Sequence, residues 1–313
     1  MTILTTTRSP TLDPLHALLS RDAEGVIAII AGVEGPSYRP VGAIMAVFSE
    51  TERVGTLSSG CIEADIALHA VRARALGHPV MLRYGRGSPF ADIQLPCGGG
   101  LDILLVPAPD RSTLAQVVQS RSARRSITLN IDIQTGAMTT SETGETGCHN
   151  GMLHLRFIPD VQFLVFGKGP EASTFAALVE AAGYPNILFS PDLETLQDGE
   201  AKGSTTRHLI DQAFPDDVVV DERTAVLLFF HDHDWEPPVL LGALNTPAFY
   251  IGAQGSQRAR DDRLMSLRSL GAAEPDIARL RGPIGLVPSA RDAGTLAVSV
   301  LAEVLGIAMQ QSA

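Results

Sequence analysis

"VQFLVFGKGPEASTFAALVEAAGYPNILFS", residues 161–190, decides the fold. An apolar run of strand length ends in glycines, an apolar pattern of helical period follows, and a second apolar run closes the unit after Gly183. Gly167, Gly169 and Ala172 form G-x-G-x-x-A where strand passes into helix, the arrangement of a dinucleotide-type turn. Gly167 permits the tight turn, Gly169 lets a pyrophosphate approach the backbone, and Ala172 allows close helix–strand packing. Free N–H groups at the helix start attract an anion. Strand–helix alternation continues through "TAVLLFF" (224–230) and "AFYIGAQGS" (248–256) to an amphipathic helix expected at about residues 290–305. This pattern predicts a doubly wound parallel sheet, a Rossmann-like domain over residues 159–313.

Upstream the pattern is different. "VIAIIAGV" reads as a buried strand, "GPSYRPVG" as a loop forced by its glycines and prolines, and "AIMAVFSE" and "RVGTLSS" as two strands joined by a turn. Apolar residues from Ile62 onward fit a helix that stops before Gly77. "SITLNIDIQTGAMTTS" alternates and turns at Thr135 and Gly136, a hairpin signal. Residues 1–158 are therefore expected to form a sheet-rich α+β domain, making the whole chain α/β in class.

The 313 residues carry 24 Lys and Arg against 35 Asp and Glu, a net charge of −11. That balance disfavours bulk binding to nucleic acid or to anionic lipid. The apolar runs fall short of the roughly 20 residues a membrane helix needs. The first 20 residues lack the apolar core of a secretory signal. Three cysteines in a chain of this length do not make a disulfide framework. The expectation is a cytoplasmic protein with reduced thiols and neither nucleic acid nor membrane as partner.

Chemistry-bearing residues gather in short motifs. Cys61 stands in "GTLSSGCIEAD" at a predicted helix start, where the helix dipole favours a thiolate and Glu63 and Asp65 oppose it. Cys97 stands in "LPCGGG", and Gly98, Gly99 and Gly100 free the backbone to form an anion-binding nest. Both cysteines are either small buried residues at crowded turns or working thiols. Ser37 and Arg39 sit in the proline-bounded loop, where a guanidinium can grip phosphate or carboxylate. His231 and His233 in "HDHDWEPP" follow a strand, as a metal pair, a ligand-facing loop, or a cap in which Asp234 accepts from the next helix. In the Rossmann half, Ser190 occupies the place where a dinucleotide site wants an acid, and Asp192 lies two residues late. An NAD(P)-dependent oxidoreductase working through Gly167 and Gly169 is the alternative enzyme reading, and a metal hydrolase at His231 and His233 a third.

Taken together, "GPSYRPVGAIMAV", "GTLSSGCIEADI", "LPCGGGLDILLVP", "FGKGPEA", "HDHDWEPPVLLGAL", "YIGAQGS" and "PIGLVPSARDAGTLAVSVLAEVLG" resemble the XdhC/CoxI family, accessory proteins of xanthine dehydrogenase and related molybdenum hydroxylases. The resemblance implies a chaperone that binds the molybdenum cofactor (molybdopterin), shelters it while a cysteine desulfurase installs a terminal sulfur, and passes it to an apo-enzyme. It implies Cys61 and Cys97 as contacts to molybdenum or sulfur, Ser37 and Arg39 on the family's S-x-R-P-like loop, Gly98, Gly99 and Gly100 on its glycine run, and a homodimer. The departures lie in the second half. "GKGP" stands for the family's "GAGH" or "GAGP", "SPD" for "DPR", and Gln257 for an arginine, so a nucleotide held there is the weaker expectation.

Overall fold

The computed structural model describes residues 13–21, 24–58, 60, 62–88, 98–230 and 234–310. The chain divides into two compact units, Met1–Pro159 and Asp160–Ala313. In the first, chain order is α1 (Pro14–Ser20), β1 (Val26–Glu34), β2 (Ile44–Val47), β3 (Arg53–Gly55), α2 (Glu63–Leu76), β4 (Val80–Gly85), β5 (Gly100–Pro107), α3 (Arg111–Ser122), β6 (Ile127–Asp132), β7 (Met138–Ser141), β8 (Gly147–His149) and β9 (Met152–Phe157). The strands form a five-stranded sheet ordered β3-β2-β1-β5-β4 and a four-stranded sheet ordered β7-β6-β9-β8, both antiparallel.

The unbroken apolar character of β1 has a packing cause. Ile27 and Ile29 face a core shared with α1, α3 and the four-stranded sheet, through Leu18, Leu114, Leu129 and Leu155. Val26, Ala28 and Ile30 face the opposite core, which α2 closes with Ile66, Ala67, Ala70 and Ala73. A strand buried on both faces has no polar side to show. Helix α2 ends as the sequence suggests, with Gly77 at φ 73° donating its N–H to Ala73 O.

The second unit runs β10 (Gln162–Gly167), α4 (Pro170–Ala181), β11 (Asn186–Ser190), α5 (Leu193–Ala201), β12 (Thr206–His208), β13 (Thr224–Phe229), α6 (Glu236–Leu244), β14 (Tyr250–Ala253), α7 (Gln257–Ser269), α8 (Glu274–Ile277), β15 (Leu280–Arg281) and α9 (Ala293–Gln310). Its six parallel strands are ordered β12-β11-β10-β13-β14-β15. This is the doubly wound order, reversing between β10 and β13. Helices α4 and α9 cover one face, where Phe175, Val179, Val300 and Val304 pack on Val165 and Leu227. Val239, Leu240 and Leu267 of α6 and α7 cover the other.

Two helix starts differ from the sequence reading. Helix α9 begins at Ala293, because Asp292 Oδ1 accepts from Thr295 N at 2.7 Å; it then continues to Gln310. It is long and apolar enough to cross a bilayer by composition, yet its Glu303 is engaged with Tyr250 Oη at 2.8 Å. Asp234 does not cap α6. The helix starts behind Trp235 with no side-chain cap, because Pro237 and Pro238 hold the positions whose N–H groups a cap would bind.

One ion pair is wholly internal to this unit. Arg263 and Glu236, 3% and 1% exposed, meet in bidentate fashion at 3.1 Å on both arms, and Arg263 Nη2 also donates to Gln254 O at 2.7 Å. The pair ties α6, α7 and the end of β14 together. Arg263→Met leaves a carboxylate buried without its cation, and a loss of about 3–5 kcal/mol is expected in urea unfolding. Adding Glu236→Gln should restore part of that loss; a double variant as unstable as the single would show the two groups uncoupled.

Candidate functional site

The described parts of the motifs singled out in the first unit gather at one end of the five-stranded sheet. Glu34, the last residue of β1, pairs with Gly100, the first of β5. Gly85, the last of β4, pairs with the same Gly100, and Arg86 N donates to Gly99 O at 3.1 Å. The loop carrying Ser37 and Arg39 and the loop 86–99 therefore leave the sheet side by side. The first turn of α2 lies at this end too. Tyr84, paired with Leu101, is fully buried and donates its hydroxyl to Asp65 Oδ2 at 2.6 Å. Burial raises the Tyr84 phenol far above its ordinary range, and the Asp65 carboxylate adds to the rise.

The segment ahead of α2 is organised by one carboxylate. Glu63, 3% exposed, turns back from the first helical turn to accept from Leu57 N (3.1 Å), Ser58 N (2.7 Å), Ser58 Oγ (2.7 Å), Thr56 Oγ1 (2.5 Å) and Ile62 N (3.3 Å). Burial alone would raise its pKa. The hydrogen bonds from Thr56 and Ser58 outweigh it and bring the group down from 4.5 to about 2. Glu63 thus does for residues 56–62 what a capping side chain does for a helix, running in the reverse direction.

On the neighbouring side, loop 35–39 rests against the glycine run. A Cβ on Gly99 would collide with Pro36 O and lie 2.9 Å from Glu34 O, so only glycine lets these backbones meet. Gly98 is exposed and holds φ 69°, while Gly100 is buried beside Arg83. Arg83 anchors the base of loop 86–99, pairing with Glu34 and with Asp102 at 3.0 Å and donating from Nε to Arg86 O at 2.8 Å. Ser37 Oγ donates to Arg39 O at 2.7 Å and accepts from Arg39 N at 3.3 Å, closing a tight turn. The guanidinium that this turn presents has its Nε–H buried without an acceptor.

The Rossmann turn is closed from within. Gly167 is packed against Phe229 and Ala172, where a Cβ would come within 2.9 Å of each. Gly169, at φ 91°, is the N-cap of α4, but its N–H donates to Thr195 Oγ1 at 2.9 Å. Thr195 in turn donates to Asp192 Oδ2 at 2.6 Å. The backbone donor that a pyrophosphate would use is satisfied by α5. Ser190 is fully buried and accepts from Asp192 N at 3.1 Å, and Asp192 caps α5 through Thr195 N at 2.9 Å. Neither side chain is turned to a ribose.

The structure sets the loop that carries Ser37 and Arg39 against Gly99 of the glycine run Gly98, Gly99 and Gly100, and puts Gly167 and Gly169 in the other unit. Cys61, Cys97, His231 and His233 lie outside the described residues. Among the described residues, no group of three or more His, Cys, Asp and Glu side chains could hold a metal ion. Sequence reading missed the work of Glu63, Tyr84 and Arg83. It counted Glu63 and Asp65 only as charges beside a thiol. The available signal was a Glu in the first turn of a helix preceded by Thr56 and Ser58, a capping box read backwards.

Glu63→Gln is expected to destabilise the protein by about 1–3 kcal/mol, since the amide cannot accept from all these donors. Because the folded carboxyl titrates below its unfolded value, its contribution is complete above about pH 4.5 and fades as pH falls toward 2. Urea midpoints of wild type and variant should therefore converge over that window. A constant gap would mean that the charge is not the acting feature.

Comparison with known proteins agrees with this architecture. Residues 163–304 match the family described as the XdhC Rossmann domain, and residues 18–85 match the XdhC and CoxI family. The chain is 34% identical over 298 residues to the molybdenum cofactor insertion chaperone PaoD of Escherichia coli (strain K12), covering 95% of this chain and 87% of that protein. It is 26% identical over 328 residues to a Bacillus subtilis (strain 168) protein named as a probable xanthine dehydrogenase subunit, covering 93% and 95%. A crystal structure from Bacillus halodurans, described as a xanthine dehydrogenase, superposes with a TM-score of 0.77 at 21% identity over 95% of each chain and shares the fold. With two family segments in the right order and a relative of this identity aligned along nearly its whole length, the chain belongs to the XdhC and CoxI family.

Proposed function

We propose that this chain is an insertion chaperone that takes molybdenum cofactor as cargo at the loop end of the five-stranded sheet and delivers it to an apo molybdenum hydroxylase of the xanthine dehydrogenase type. The observation that carries the reading is the buried, acceptor-less Nε–H of Arg39, in the loop whose Pro36 rests against Gly99. A guanidinium nitrogen left unpaired by its own chain fits an anionic oxygen, and the pterin phosphate is one. The activity of PaoD, named for inserting this cofactor, supports the choice of cargo.

On this reading Arg39 grips the phosphate, the backbone at Gly98 offers room for close approach, and Cys61 and Cys97 supply the soft ligands that molybdenum or its terminal sulfur takes. The cargo brings the redox-active metal and its dithiolene; the chain itself binds, orients and shields. The clamp of Glu63 and the anchor of Arg83 keep both loop bases rigid, which lowers the cost of ordering them when cargo arrives. The proposal extends to a cysteine desulfurase as the sulfur donor, a homodimer as the working form, and the cytoplasm as its location.

Oxygen-free binding of molybdenum cofactor by wild type and by Arg39→Ala, Cys61→Ala and Cys97→Ala tests the core of it, with molybdenum and released pterin counted per chain. Wild type should retain near-stoichiometric cofactor. Arg39→Ala should lose affinity by roughly tenfold or more, as expected for a charge-assisted hydrogen bond, and at least one cysteine variant should lose molybdenum while staying folded. Equal retention by all the variants, or none by wild type, would end the reading.

The self-capped turn disfavours the oxidoreductase alternative. NAD, NADP or a pterin dinucleotide tail at Gly169 would have to displace Thr195 from its N–H. Wild type should show no heat of NAD or NADP binding by calorimetry at millimolar nucleotide. Saturable binding that Thr195→Ala leaves unchanged would mean that the closed turn is not what governs access.

A further inference from the structure

A separate site lies on the outer face of the four-stranded sheet. "HNGMLH", residues 149–154, is a hairpin whose turn residues Asn150 and Gly151 both take positive φ, 52° and 78°, as a tight two-residue turn requires. The turn fixes the register. His149 stands opposite Met152, and His154 stands opposite Gly147. With a period of two along each strand, His149, Met152 and His154 share one face, and it is not the face that buries Leu153, Leu155 and Phe157. Directly opposite side chains lie about 5 Å apart at Cβ and diagonal ones about 7–8 Å. All three line a cleft of about 540 Å³, together with Asn130, Ser141 and Glu145.

The two imidazoles are arranged rather than merely near. Gly147 has no side chain, and a Cβ there would lie 2.9 Å from His149 Nε2. The ring of His149 therefore folds over the glycine, across from His154. Ring centroids are 6.4 Å apart with planes inclined by 26°. The two rings are thus a loosely stacked pair on one face of the hairpin. An imidazole binds a metal through the lone pair in its ring plane, with the nitrogen about 2 Å from the ion, so two rings this close on one face can reach a common ion by side-chain rotation. The second ring is oriented by its neighbours. Ser141 Oγ donates to Thr143 O at 2.9 Å and so accepts from Asn130 Nδ2 at 3.1 Å. Asn130 Oδ1 is thereby turned to His154 Nδ1 at 2.7 Å, which must be the protonated nitrogen. Nε2 of His154 is left as the lone-pair nitrogen, the condition in which metal-binding histidines are held.

The geometry points to a binding site for a soft late transition-metal cation, with copper(I) the best-suited ion, formed by His149, Met152 and His154. Two neutral imidazoles and a thioether are poor donors for magnesium or calcium and good ones for copper(I). The inference is independent of the cofactor reading, because it uses neither the loop end of the other sheet nor Cys61 and Cys97. Cys148, exposed on β8, alternates to the other face of its strand.

The test is anaerobic copper(I) titration of the full chain against a chromophoric copper(I) chelator. The parent carries Cys61→Ser, Cys97→Ser and Cys148→Ser so that thiolates do not dominate; wild type with alkylated thiols serves if that parent does not fold. Methionine ε-methyl resonances, labelled with carbon-13, report the sulfur. One equivalent of copper(I) should shift the Met152 methyl, identified by its absence in Met152→Leu. Met152→Leu and His154→Ala should each weaken binding roughly tenfold to a hundredfold, and Asn130→Ala about tenfold through the orientation of His154. An unmoved Met152 signal, or variants that bind as the parent does, would overturn the site. Zinc(II) binding tighter than copper(I) and indifferent to Met152→Leu would overturn its soft character.

Discussion

A single buried carboxylate sets the terms for the first unit. Glu63 lies in the opening turn of α2, yet its acceptor oxygens are spent on the chain before the helix, at Thr56, Leu57 and Ser58. Its cost of burial is offset because so many donors converge on it. The same helix is tied to β4 through Asp65 and Tyr84. The loops that carry the family's motifs thus spring from a framework in which the sheet end, the helix start and the intervening turn are fixed by polar contacts in place of hydrophobic burial alone.

The second unit shows how a dinucleotide fold can be retained while its usual ligand contact is taken up internally. Strand order, glycine spacing and helix placement all follow the doubly wound pattern. Thr195 and Asp192 nevertheless form a chain of hydrogen bonds that ends on the N–H of Gly169. The topology is a property of hydrophobic layers, and the ligand site is a property of a few polar atoms at their edge. The two can be kept or lost separately.

Most of the architecture was legible because it rests on periodicity. The βα units of the second half, the hairpin at Thr135 and Gly136, and the stop of α2 at Gly77 each have a local signal that the structure obeys. Of the three readings of the loop before α6, the helix cap fails for an equally local reason: the N-cap is Trp235, and Pro237 and Pro238 remove the donors that a capping side chain would bind. The site was legible only in outline. Ser37, Arg39 and the glycine run could be named from their motifs, whereas their adjacency depends on the pairing of Glu34 and Gly85 with Gly100, across long sequence separations. The role of Thr195 was invisible for the same reason, being a contact from a later helix to a turn that looked complete in itself.

Arg83 closes the base of the segment that joins β4 to β5, by bonds to Glu34, Asp102 and the carbonyl of Arg86. Chain entropy gives that closure a further meaning. Once the ends of a loop are held, doubling its length costs only about 0.6 kcal/mol. The sheet therefore answers for the base, and the length of the connection before the Gly99 seat is only weakly constrained by chain entropy. A connection of different length can therefore be carried on an unchanged sheet.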